Sequence, residues 1–166
     1  MADLCPLPVD CSDTYGELTI DGWSLHTGAW CAHDLSPLFE SADHRGENVL
    51  VETLPGQQAR SLVDDQTDYR LRMMFSGAVD RTGTAHPEGA AGLAANRRAF
   101  TNRLIRPIRE GTATLPASLV EPDPAGPVTY TADVQPLRLD WTLLPGGYAR
   151  AVLRLRIPAG AFTVED

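Results

Sequence analysis

Between residues 45 and 105 the chain reads as strand, turn, strand, long strand, break and then one amphipathic helix, and this order limits the fold more than any other feature. The strand signal is strongest over Thr67–Val79. There Tyr69, Leu71, Met73 and Phe75 alternate with Arg70, Arg72, Met74 and Ser76, so one face is apolar and the other mostly polar. Met73 reads as core and Met74 as partly exposed. Upstream, Asn48–Leu54 and Gln58–Val63 flank Pro55-Gly56, a pair suited to a tight turn. Downstream, the spacing predicts a helix over about 88–105, ending before Pro107. Leu93, Phe100 and Leu104 make its apolar stripe, and Arg97, Arg98, Arg103 and Arg106 lie mostly off it. Gly89 and Gly92 weaken the first turns, so packing on a sheet must hold the helix.

The flanking sequence adds strands. Residues 15–20 read as a first strand ending at the Asp21-Gly22 turn, and Trp23, Leu25 and Trp30 form a second apolar group. Residues 32–47 read as a polar loop with room for one helical turn after Asp34. Thr112–Val120 is a further strand, placed at a sheet edge because Pro116 interrupts it. Val128–Leu143 and Tyr148–Ile157 form a long hairpin closed by Pro145-Gly146-Gly147. Leu137, Leu139, Trp141 and Leu143 face one way on its first strand. Ala149, Ala151, Leu153, Leu155 and Ile157 face one way on its second. The expected fold class is therefore mainly β: a single-domain β-sandwich or split barrel with one flanking α-helix. Residues 1–14 read as an extended N-terminal arm, 15–158 as the β domain and 159–166 as a C-terminal tail.

Composition narrows the chemistry. The 22 acidic residues outnumber 14 basic ones, for a formal charge of −8, which disfavours specific nucleic-acid binding. Every basic residue is Arg, so no side-chain amine exists for Schiff-base chemistry. Arg also pairs with carboxylates in a bidentate way and stacks on aromatic rings, which suits subunit contacts. No segment reads as a signal peptide or a membrane span, so a soluble protein made in a cytoplasm is expected. The three cysteines, Cys5, Cys11 and Cys31, read as free thiols in a reducing compartment, with a Cys5–Cys11 bridge left open by their separation. His26, Cys31, His33 and His44 are the candidate metal cluster, but the paired spacing of structural zinc is missing and the histidines read as ordinary. Asp64, Asp65 and Asp68 read as turn carboxylates, and Arg154 and Arg156 as partners for a carboxylate on another subunit. The expectation is no enzyme: no catalytic residue, no cofactor and no metal.

The segments DGWSLHTGAW (21–30), RGENVLVETLPGQ (45–57), DYRLRMMFSGAV (68–79) and GLAANRRAF (92–100), in that order and followed by a strand-rich C-terminal section, carry a resemblance across most of residues 15–158. In plan the chain resembles the siphovirus tail tube and distal-tail proteins, the ring-forming proteins of long-tailed phages. The resemblance implies a structural virion protein of the phage tail, synthesised in the host bacterial cytoplasm. Its subunits would form hexameric rings, stacked in a tube subunit, contacting other tail proteins and enclosing a channel. DNA would pass through it without specific binding during ejection, and no membrane is involved. The resemblance transfers no functional residue. The alternative is a monomeric β-sandwich binding module for carbohydrate or protein, which would show aromatics at loop tips.

Overall fold

A computed structural model describes residues 15–43 and 67–165 of the 166. The strand readings at Asn48–Leu54 and Gln58–Val63, the Pro55-Gly56 turn and the arm at 1–14 lie outside the described residues. The chain is mainly β, as its alternation dictates. The strands are β1 (Glu17–Ile20), β2 (Trp23–Ser24), β3 (Trp30–Ala32), β4 (Thr67–Ser76), β5 (Leu115–Glu121), β6 (Val128–Leu144), β7 (Tyr148–Ile157) and β8 (Thr163–Val164). They join in one curled sheet of order β2-β1-β5-β6-β7-β4-β3, with β8 added to β6. All the pairings are antiparallel.

The curl has a local cause. The first half of β6 pairs with β5, from Val128↔Glu121 to Val134↔Leu115, and its second half pairs with β7. The register slips between Pro136 and Arg138, leaving Leu137 as an extra residue. Such a bulge bends a strand and reverses which face its later residues present. Val134 and Pro136 are buried before it, whereas Leu139 and Trp141 pack on the core after it. Leu137 therefore does not continue the Leu139–Leu143 series as its spacing suggested. It is where the sheet divides into a first half (β2, β1, β5, early β6, β8) and a second half (late β6, β7, β4, β3).

The helix closes the core. Helix α1 (Ser36–Asp43), longer than the single turn expected, starts where the Asp34 carboxylate accepts the Ser36 N–H at 3.1 Å. Helix α2 (Gly89–Phe100) is the flanking helix, and it lays Leu93 and Phe100 on the sheet. It does not stop before Pro107. A π-helical turn (Thr101–Ile105) carries the chain into a short helix α3 (Arg106–Arg109). Pro107 sits in the first turn of α3, where its missing N–H costs little, and the wider turn buries Leu104 and Ile105. Phe100 meets Trp30 and Phe75 edge-on, each with centroids 5.3 Å apart, and Phe75 meets Trp141 at 5.0 Å.

Gly77 and Gly92 show why small residues interrupt this helix. A methyl on Gly77 would overlap the Gly89 carbonyl, and one on Gly92 would overlap the Gly77 carbonyl. The helix start thus touches the end of β4 backbone to backbone, and the propensity lost at Gly92 is exchanged for this approach.

Four expectations are corrected. β5 is not an edge strand: it lies between β1 and β6, and Pro116 falls opposite the Asp21 turn, past the end of the four-residue β1. Met74 is buried, beside the equally buried Cys31. Cys31 is disulfide-bonded rather than a free thiol; the thiol reading rested on compartment, which carries no geometry. Residues 159–165 are no tail, for Phe162 is fully buried and β8 pairs Thr163 with Thr131 and Val164 with Tyr130. A two-residue strand is too short to leave a periodic signal.

Candidate interaction surface

The outer face of the second half-sheet collects arginines. Alternation on β4 turns Arg70 and Arg72 outward, and on β7 it does the same for Arg150, Arg154 and Arg156. The register then sets Arg70 opposite Arg154, and Arg154 opposite Arg138 of β6, three guanidiniums in one row across three strands. Like charges directly opposite one another destabilise a sheet unless anions intervene. One does: Asp140 pairs with Arg138 and lies 3.5 Å from Arg154. Asp68 takes Arg156 through two bonds, at 2.7 and 3.2 Å, and the Arg156 guanidinium holds the Asp68 carboxyl below the ordinary carboxylate range. Arg70, Arg72 and Arg150 have no ion-pair partner among the described residues. Nε of Arg154 is buried without a hydrogen bond.

The row borders a groove of about 480 Å³ that Asp34, Arg70, Arg72, Asp140 and Arg154 help to line. Through Arg72 and Val152 it continues into a second hollow of about 670 Å³ beside His33 and Arg150. Burial pushes the His33 imidazole below its ordinary pKa; Asp34 opposes the shift, and Arg72 and Arg150 add to it.

The first half-sheet is the electrostatic opposite. The segments that build it (15–29, 112–134 and 158–165) contain no arginine and carry Glu17, Asp21, Glu121, Asp123, Asp133 and Glu165. Glu121 is fixed in direction: the Tyr15 hydroxyl donates to one carboxylate oxygen at 2.6 Å and the Tyr130 hydroxyl to the other at 2.8 Å. Asp123 accepts the Ala125 N–H at 2.8 Å within the turn that follows. Among the described residues only Asp21 of these six has a cationic partner, Arg103 at 2.9 Å.

Three arginines lie over aromatic rings. Arg81 lies 4.4 Å and Arg103 5.7 Å from the Trp23 ring, and Arg97 lies 5.6 Å from that of Trp141. Trp23 also stacks on the buried Trp30 with centroids 5.8 Å apart. The tryptophans are thus parts of the wall and not displayed at loop tips.

The residues singled out from sequence do not converge. His26 pairs with Cys31 as a strand bridge, but Cys31 is committed to its disulfide and His44 lies outside the described residues. No group of three metal-ligating side chains forms among the described residues. Asp64 and Asp65 also lie outside them. Arg154 and Arg156, expected to wait for a carboxylate on another subunit, lie beside Asp140 and Asp68 of their own chain. On this face, the arginines with no carboxylate ion pair among the described residues are Arg70, Arg72 and Arg150. Their alternation was visible in sequence, but their placement beside one another depends on a register the sequence does not spell out. Compared with known proteins, the chain matches no family model, no curated protein and no solved structure.

Proposed function

We propose that the protein is a structural, ring-forming subunit of the phage tail, of the tail tube or distal-tail type. In this reading it assembles head to tail into hexamers that surround a DNA channel, with other tail proteins at their ends. The supporting observation is the separation of charge within one domain: a half-sheet with carboxylates and no arginine, and another whose outer face holds a row of arginines. Complementary patches at different places on one surface favour heterologous contacts, which close into rings when the rotation between copies closes. A net charge of −8 per subunit is in keeping with a lumen that repels DNA and lets it slide. A fold that is mainly β with one flanking helix agrees with the family plan. Negative-stain imaging of the purified protein tests the reading. Annular particles or stacked tubes are expected; uniform single subunits would favour the monomeric binding-module alternative instead.

A further inference from the structure

Resting on that reading, we infer that the arginine row of one copy receives the acidic end of the first half-sheet of the next copy, with Glu121 and Asp123 as the inserted carboxylates. Both halves of the contact exist in each chain, and the fold keeps them apart. Glu121 pairs with Val128 at the start of β6, whereas Arg138 lies ten residues further along the same strand. At the rise of a β-strand ten residues span up to roughly 33 Å, and neither Glu121 nor Asp123 forms an ion pair with the row among the described residues. Pairing of Glu121 and Asp123 with the row is thereby left to a contact between copies.

The two sides are also prepared for each other. Arg70 and Arg72 are exposed, stand two residues apart on one face, and lack an ion-pair partner among the described residues. They border the 480 Å³ groove, which is open to a protruding side chain. On the other side Glu121 is oriented by two tyrosine hydroxyls, so little further ordering is needed when it docks. A guanidinium suits such a carboxylate because it can donate two parallel N–H bonds. Glu121 and Asp123 flank Pro122 and precede Pro124 and Pro127, which stiffens the presented segment.

The test uses two charge-reversed full-length variants, Arg70→Glu/Arg72→Glu and Glu121→Arg/Asp123→Arg, each confirmed as folded by circular dichroism. Sedimentation velocity at tens of micromolar should show the wild type as an oligomer and each variant alone as a monomer. An equimolar mixture of the two should return to the oligomer, since each reversed patch then meets a reversed partner. Assembly of Arg70→Glu/Arg72→Glu on its own would overturn the inference while leaving the ring reading intact. So would a mixture that stays monomeric although each variant is folded. A wild type that is itself monomeric would remove the ring reading and this contact together. Capture of a short labelled DNA duplex by the wild type, lost in Arg70→Glu/Arg72→Glu, would assign the row to polyanions and also overturn it.

Discussion

Asn96 is the residue whose role is least visible in the chain and clearest in space. It lies on α2, where an Asn ordinarily marks the solvent side, yet it is 3 % exposed. Its amide donates to the Ser76 carbonyl at 2.7 Å and the Val79 carbonyl at 2.8 Å, and its carbonyl oxygen faces His86 Nε2 at 3.3 Å. It ties the helix to the end of β4 and to the loop between them. Removing it leaves two carbonyls unsatisfied, so Asn96→Ala should cost about 2–3 kcal/mol in denaturant unfolding, whereas exposed neighbours should cost a few tenths. A loss no larger than that of Arg98→Ala would show the bonds to be dispensable. Histidines give a second residue-scale prediction. Burial pushes His26 and His33 below the ordinary value of 6.5, and both ring nitrogens of His26 are buried without partners. The unfolded chain therefore binds protons first, so stability is intact above 6.5 and falls as pH drops below it toward the depressed folded values. The carboxyls of Asp34 and Asp68 are held below 3.8 and do not titrate in that window. The urea midpoint should be lower one unit below 6.5 than one unit above it, and His26→Gln/His33→Gln should lose most of the difference. A midpoint that rises on acidification would contradict the assignment.

At the scale of elements, the strand–helix–hairpin order was legible because it rests on local periodicity. Tyr69, Leu71, Met73 and Phe75 are all buried, as their alternation requires, and so are Leu93, Phe100 and Leu104 of the helix stripe. Phe100→Ala should accordingly cost about 3–5 kcal/mol, since its ring is 0 % exposed among Trp30 and Phe75, and Arg98→Ala far less. Equal losses in thermal or denaturant unfolding would mean that the helix is turned the other way. What the sequence hid depends on partners distant along the chain. The Leu137 bulge is a mismatch of register with β7, and an interior β5 accommodates Pro116 because the four-residue β1 ends opposite Ala117. Phe162 is buried only because the chain after β7 stays beside β6. Continuation of the helix past Pro107 needed the π-turn, which no pattern of residue types announced. The candidate surface was legible in the same partial way: the arginines at 70, 72, 150, 154 and 156 could be placed on faces, but not in rows.

For the whole molecule the proposed assembly rests on charge separation between the two half-sheets. Among the described residues no helix is long and apolar enough to cross a membrane. Contacts between exposed opposite charges weaken as salt shortens their range, from about 10 Å at 0.1 M to about 3 Å at 1 M. Assembly through the arginine row and the arginine-free half-sheet must therefore depend on salt, whereas assembly through apolar surface would persist or strengthen. Sedimentation velocity of the wild-type protein over a range of concentrations, at each of these two salt levels, is the most direct measurement. A species several times the 18.0 kDa subunit is expected at the lower salt, with dissociation toward the subunit at the higher. An 18.0 kDa monomer at every concentration and both salt levels would contradict it.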